Sequence, residues 1–364
     1  MRHVMYRNIT EALVNTLNNI LNNGICVGSR DQEQMEVLST LTKIQYPTER
    51  FLVLPYRNNN VFAQVAETLW VLSGRNDLAF LSYYLPRAED FSDDKLTWRA
   101  AYGPRLRNWK GKVDQLQEVV KRFKEDPLTK RAVMIIFDPE SDYQQTKDVP
   151  CNNWLHFIQR DGYVDLHVTV RANDAIWGFS GINFFEWSVL HEIIANTLGW
   201  KVGKLSWYVG TFHIYSRHYA TAKKIAGLNR PLSLYECKIK PTSITIGIDE
   251  MDEVLEQVFE AERCARAGQF NKATEIEERI QDPFFRNATI LMKIYSALKL
   301  NVERDIINDY LHDLGKTDFH IAALEYLSRK WKSQDTLERI RSISPDFFQS
   351  FTNMKNSVTS SLTA

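Results

Sequence analysis

Cysteine is scarce in this chain. There are four in 364 residues, Cys26, Cys151, Cys237 and Cys264, and none sits in a C-x-x-C pair. That spacing excludes a disulfide framework and carries no zinc-site signature. Net charge is missing as well, because 45 Lys+Arg balance 45 Asp+Glu. With no global basic field, a nucleic acid polymer is set aside as partner, although a few arginines can still build a local phosphate pocket. No apolar stretch approaches the roughly 18 residues of a membrane span, and the opening MRHVMYRNITEALVNTL has no apolar signal core. These absences describe a soluble, cytoplasmic protein with no membrane partner. A lone cysteine in such a protein either packs as a small apolar group or does chemistry.

What is present is a large, patterned apolar fraction. At 44% hydrophobic content the chain can bury a substantial core, as one large domain or two ordinary ones. Apolar residues at helical spacing (Ile9, Leu13, Leu17, Ile20, Leu21) predict a helix over 8–23, and VFAQVAETLWVLSG predicts another over 61–74 that ends on Gly74. Strands are expected at 35–46, 51–55, 132–138, 204–215 and 234–240. Segment 78–110 reads as irregular, and 113–126 and 217–227 as helices. NNWLHFIQRDGYVDLHVTVRAN reads as two strands turning at Asp161-Gly162, followed by a long apolar helix over 182–200. Beyond residue 249 the pattern turns charged and helical, with helices near 250–266, 269–281, 284–299, 301–313, 318–331 and 334–342 and a polar, frayed tail over 343–364. No fixed period marks a repeat array. The expected architecture is α/β (α+β): a large mixed β-sheet with packed helices over 1–249, then an all-helical C-terminal extension over 250–364.

Two residues suggest chemistry. Cys151 precedes the first hairpin strand and Arg171 ends the second, so a turn at Asp161-Gly162 sets them nearly opposite each other. An arginine there stabilises a thiolate and offers a fork of donors to a phosphate. This pairing alone leaves a nucleophile and an inert cysteine as equal alternatives.

A wider ordered set decides between them. Cys151, Arg171, Asp174, Gly178, Asn183, His213 and Tyr215 form the run PC-x19-R-x2-D-x3-G-x4-N-x29-H-x-Y. Together with AETLWVLSGRNDLAFL (66–81), AAYGPRLRNW (100–109) and DPLTKRAVMIIFDP (126–139), this series resembles the thymidylate synthase and pyrimidine nucleotide hydroxymethylase superfamily from about residue 10 to 245.

The resemblance implies a thymidylate synthase-like fold and one-carbon transfer from 5,10-methylenetetrahydrofolate to C5 of a pyrimidine nucleotide monophosphate. Pyrimidine C5 is a poor nucleophile until a thiolate adds to C6 and makes it an enolate carbon. Cys151 is then the nucleophile, with Tyr102 orienting it and Arg171 holding both thiolate and 5′-phosphate. Arg131 and Lys130 are implied to reach the phosphate in the partner of a homodimer, and Arg30 is the nearest candidate for the family's early phosphate loop. Asn183 is implied to read the O4/N3 edge of uracil, and His213 and Tyr215 to hold the ribose. Glu67 is implied to organise the water that moves protons around O4 and C5. Asp174, Trp177 and Gly178 are implied to line the folate side.

Each residue also has a structural reading: Asn183 as a helix N-cap, His213 as a core histidine, Glu67 as a solvated helix residue on an otherwise apolar face.

The chain also departs from the pattern. Lys130 stands where a second arginine is usual, Ala172 where a serine is usual, Asn152 where a histidine is common, and Thr211 where an aspartate is usual. FSGI makes the approach to Asn183 one residue longer. Trp98 is a loose candidate for the tryptophan that covers the exocyclic methylene, and the family's short C-terminal cap gives way to the helical extension. Exclusion of water decides the product: a shielded methylene takes hydride and becomes methyl, a wet one takes water and becomes hydroxymethyl. Methyl and hydroxymethyl products on a uracil or cytosine nucleotide therefore stand as alternatives, beside a non-catalytic nucleotide-binding descendant and a cysteine hydrolase.

Overall fold

A computed structural model describes residues 4–29, 32–228 and 231–361, and the side chains of residues 4–28, 32–228 and 231–357. Seven strands form one mixed sheet: β1 Met5–Tyr6, β2 Ile25–Ser29, β3 Gln32–Ile44, β4 Val133–Ile135, β5 Asn152–Arg160, β6 Tyr163–Asp174 and β7 Lys201–Tyr215. Their order is β1-β3-β7-β6-β5-β4, with β2 paired to β3 and β4 at the opposite edge. The β1–β3 and β6–β7 pairs are parallel and the rest antiparallel. The β5–β6 hairpin turns at Asp161 (φ +53°) and Gly162 (φ +78°), the two left-handed residues that a tight two-residue turn requires.

The sheet-bearing half carries helices α1 Ile9–Asn23, α2 Val61–Leu72, α3 Leu78–Tyr84, α4 Tyr102–Arg107, α5 Gln115–Glu125, α6 Pro139–Asp142, α7 Phe184–Thr197 and α8 Tyr219–Ala226. The side chain of Asn8 caps α1 by accepting from the Thr10 and Glu11 amides, and the α1 residues Ile9, Leu13, Leu17 and Ile20 are fully buried. Gly74 lies just past α2 at φ +74°, where a Cβ would be strained. The extension adds α9 Ile248–Arg266, α10 Phe270–Glu277, α11 Pro283–Lys299, α12 Arg304–Asp313, α13 Asp318–Trp331, α14 Gln334–Glu338, α15 Ile340–Ile343 and α16 Pro345–Ser361. One continuous apolar core joins the two parts. Phe51 stacks edge-on against Phe185 (5.1 Å) and Phe319 (4.6 Å), and Phe62 against Tyr326 (4.9 Å).

Several expectations are corrected. Residues 51–55 do not pair in the sheet. Phe51, Leu52, Val53 and Leu54 are all buried, so the run is a core-filling connector without strand alternation. Residues 234–240 form turns closed by the Leu234 carbonyl, which accepts from Cys237 and Ile239. The tail is not frayed over its described length: α16 buries Phe347, Phe348, Phe351 and Met354. The irregular stretch 78–110 contains α3, α4 and a 3₁₀ turn at Pro86–Phe91.

The sheet ladder is interrupted at one level in three neighbouring strands. Leu38↔Thr211 and Thr40↔Val209 pair in register around Ser39 and Gly210, and Val170↔Val209 and Ala172↔Thr211 pair around Arg171 and Gly210. Ser39 has φ +54°, and a Cβ on Gly210 would stand 2.7 Å from the Arg171 carbonyl oxygen, so only glycine fits there. Side-chain alternation inverts at this break. Trp207 and Val209 point into the core, and after Gly210 it is Phe212 and Ile214 that do so. Strict alternation would have driven His213 and Tyr215 into the apolar core; the break turns them to the other face.

Candidate active site

The hairpin sets Cys151 beside Arg171. The Arg171 amide donates to the Cys151 carbonyl oxygen (2.9 Å), its Nε to Pro150 (2.9 Å) and its Nη2 to Val149 (2.8 Å), with Nη2 3.9 Å from the Cys151 Sγ. Two backbone carbonyls thus fix the guanidinium plane, and its charge lies against a half-buried sulfur, an arrangement that favours thiolate. Asn152 organises the other side. Its Oδ1 accepts from Trp187 Nε1 (3.1 Å) and its Nδ2 donates to Tyr102 Oη (2.8 Å). Burial, then the nearby Cys151 and Glu186 charges, push the Tyr102 phenol well above its ordinary range, so it stays a neutral hydrogen-bonding group.

Two carboxylates face each other between α2 and α7. Burial pushes the Glu67 carboxyl well above the ordinary carboxylate range, and the Glu186 and Asp148 charges push it further. Burial likewise drives Glu186 up to about 7 against the opposing bond from Asn183. Glu67 Oε2 and Glu186 Oε1 are buried with no hydrogen-bond partner. Asp148, also raised mainly by burial, accepts from Trp98 Nε1. Trp98 stacks on Phe91 with rings 8° apart.

Asn183 is 7% exposed and makes no side-chain cap to α7, so the N-cap reading is corrected. Its Oδ1 accepts from Asn173 Nδ2 (3.3 Å) and its Nδ2 donates to Glu186 Oε2 (3.3 Å). The residue before α7 are π-helical, Ala175–Asn183, with the Phe184 amide bonding back five residues to Phe179. A π turn holds one more residue than an α turn, which is the length by which FSGI extends the approach to Asn183. Gly178 is the close approach in this turn, since a Cβ there would meet Asn173 Nδ2 at 2.6 Å and Asn183 Oδ1 at 3.4 Å. Asp174 caps the segment by accepting from the Ile176 amide (2.8 Å), and Trp177 is 43% exposed.

His213 lies between Glu36 on β3 and Asp174 on β6, its register partners. Burial lowers its pKa, opposed by the charges of Asp174 and Glu36. Both ring nitrogens are buried, and the ring's polar contact within the sheet is to the Thr211 backbone. Tyr215 packs edge-on at 4.9 Å and carries Arg217 over its ring. Thr211 hydroxyl donates to Glu36, which sets a carboxylate near His213 from a neighbouring strand.

Not every expected residue joins this group. Lys130 and Arg131 lie exposed at the start of edge strand β4, with no hydrogen bond or ion pair to the Cys151 cluster. Arg30 lies outside the described residues. Glu186 and Asp148 were missed. The sequence did carry a signal for Glu186: like Glu67, it is a carboxylate inside an apolar helical run, INFFEWSVL.

A model of the thymidylate synthase family matches residues 11–255. The deoxyuridylate hydroxymethyltransferase of Pseudomonas phage M6 is 31% identical over 338 residues, 91% of this chain and 95% of the phage protein. A Bacillus phage SP01 protein of the same name is 35% identical over 236 residues, and the match spans 60% of this chain and 62% of that protein. The thymidylate synthase of Vesicomyosocius okutanii is 26% identical over 203 residues, 54% of this chain and 76% of that enzyme. On the extent of the family match and the relative aligned along nearly its whole length, this chain belongs to the thymidylate synthase family.

Proposed function

We propose that this protein transfers a one-carbon unit from methylenetetrahydrofolate to C5 of deoxyuridylate and releases the hydroxymethyl product. The observation carrying this reading is where the relatives align. The family model ends at residue 255, whereas the match to the phage M6 protein covers 91% of the chain and so runs well into the helical extension. That relative, which carries the hydroxymethyltransferase name, thus shares the extension, and this supports the hydroxymethyl reading.

In this reading the Cys151 thiolate, held by Arg171, adds to C6 and leaves C5 nucleophilic. Asn183 presents its amide to the O4/N3 edge of uracil, with Asn173 and Glu186 fixing which end donates. His213 and Tyr215 hold the ribose, and Glu67 handles protons at O4 and C5. Methylenetetrahydrofolate supplies the carbon at the oxidation level of formaldehyde. Asp174, Trp177 and Gly178 fit such a group: the exposed Trp177 indole offers a stacking surface, and Gly178 lets the chain pass close to Asn173 and Asn183 beside it. Lys130 and Arg131 are exposed just ahead of edge strand β4, as residues that serve the phosphate site of a second copy would be.

The test is the full chain with deoxyuridylate and methylenetetrahydrofolate. The expected product is one oxygen heavier than the methyl compound, and the folate emerges as tetrahydrofolate. A methyl product with dihydrofolate would replace this reading with thymidylate synthesis, because the methyl needs a hydride that only the folate supplies. Nucleotide binding without turnover would establish the non-catalytic alternative.

A further inference from the structure

Glu186 has no part in the mechanism above except to hold the Asn183 amide, yet it is 2% exposed and its charge, like that of Cys151, acts on Tyr102. Its neighbour Trp187 donates to Asn152, the residue after Cys151. Its side chain carries far fewer hydrogen bonds than a structural carboxylate of this protein does. Buried Asp318 accepts from Tyr235 Oη, from the Thr242 amide and hydroxyl, and from the Phe319 amide. Glu186 accepts a single 3.3 Å bond on Oε2, and Oε1 is buried with none. An empty acceptor on a buried carboxylate costs about 1–3 kcal/mol or more, so it calls for something to fill it.

Resting on the hydroxymethyl reading, we propose that Glu186 is the base that takes the proton from the water adding to the exocyclic methylene carbon. The step balances as follows. The water oxygen forms a bond to the methylene carbon while one of its protons passes to Glu186. The C5–methylene π pair moves to C5 and O4 as an enolate. The enolate then re-forms C5=C6 and expels Cys151 as thiolate, and Glu186 releases its proton to solvent. No oxidant or reductant enters, so hydration needs only water and a base. Glu67 remains the group for the earlier proton transfers, and two carboxyls facing each other divide the acid and base roles because both cannot ionise freely.

Burial sets Glu186 at about 7, the range in which a carboxylate is both ionised at neutral pH and basic enough to accept a proton. Titratable groups around it are Glu67 on α2, Tyr102 on α4, and Asp148 and Cys151 ahead of and at the hairpin. Arg107, across a small cavity also lined by Glu186, is engaged by Asp114 and Asp252.

The experiment compares wild type with Glu186→Gln, using deoxyuridylate tritiated at C5. Release of tritium reports Cys151 attack and proton loss at C5, steps that precede hydration. The variant is expected to retain a first-turnover burst, because a glutamine oxygen can still accept from the Asn183 amide. Its hydroxymethyl product falls by about 10²–10⁴-fold, and a covalent nucleotide adduct accumulates on Cys151 by intact-protein mass. Product formation by wild type rises with pH through about 7, and the variant loses that limb. Unchanged product formation in Glu186→Gln overturns the proposal, and so does equal loss of burst and product, which would place Glu186 earlier or make it structural. If Glu186→Gln misfolds by circular dichroism, Glu186→Asp decides: a slowed product step that keeps the pH limb supports the base, and a normal rate sinks it. A methyl product from wild type defeats the hydroxymethyl reading instead, whatever the variant does.

Discussion

Buried charge is treated differently in the two halves of this molecule. In the helical extension nearly every buried ion has its partner. Lys293, 1% exposed, donates to Glu277 at 2.5 Å and to Thr274. Glu262 receives Arg266 and the Tyr84 hydroxyl. Asp282 caps α11 through the Phe284 and Phe285 amides while also accepting from Thr245. Around Cys151 the habit differs: Glu67 and Glu186 each keep a buried carboxyl oxygen without a partner, and Asn173 a buried amide oxygen. Each such atom weakens the fold by about 1–3 kcal/mol. The buried ion pairs of the extension are closed within the chain, whereas these carboxyl oxygens lie among the groups proposed to meet a ligand.

Mutation can break this contrast from either side. The largest expected effect is Cys151→Ala, which should take product formation below detection in a mass assay while nucleotide binding persists by calorimetry. Glu67→Gln comes next. We expect product formation to fall about 10²–10⁴-fold, yet urea unfolding at pH 7 should show stability equal to wild type or higher, because a carboxyl that burial holds against ionisation is replaced by a neutral amide. Lys293→Met should do the opposite. Leaving buried Glu277 only the partly exposed Arg286 as a partner should cost up to about 3–5 kcal/mol of unfolding free energy, with kcat unchanged at temperatures where the variant is folded. Smaller still is Thr242→Ala, which removes one donor from Asp318 and should cost on the order of 1 kcal/mol.

The pH dependence sharpens the same comparison. Glu186 is raised in the folded protein from 4.5 to about 7, so between those values the native state binds more protons than the unfolded chain. Stability therefore falls as pH rises through that window, and the penalty is absent below it. Urea midpoints measured from pH 4.5 to 7 should decline more in wild type than in the double variant Glu67→Gln/Glu186→Gln. Parallel curves would mean that the site carboxyls are not held against their charge.

Much of the site could be read along the chain because its residues lie on regular elements with countable spacing. Cys151 and Arg171 meet because Asp161-Gly162 is a turn dipeptide and strands pair by simple counting. Glu67 stood out as a carboxylate on an apolar helix. Where counting failed, a local irregularity had intervened. FSGI reads as a spacing fault until the π turn absorbs the extra residue. FLVLP reads as a strand because a run of apolar residues carries no information on pairing, and here the core surrounds it without a sheet neighbour. The tail reads as polar by composition, yet Phe347, Phe348 and Phe351 fall on one buried side of α16.

The sequence by itself determined the mixed sheet with its hairpin, the helical extension, and the ordered set of residues from Glu67 to Tyr215, because residue type and period act locally and survive in a linear string. Only the tertiary structure decided which polar groups go unanswered. The in-register break at Ser39, Arg171 and Gly210 turns His213 and Tyr215 away from the core, and the packing of α2 on α7 sets Glu186 against Glu67. Burial and pairing depend on neighbours far apart in the chain, and no local pattern records them.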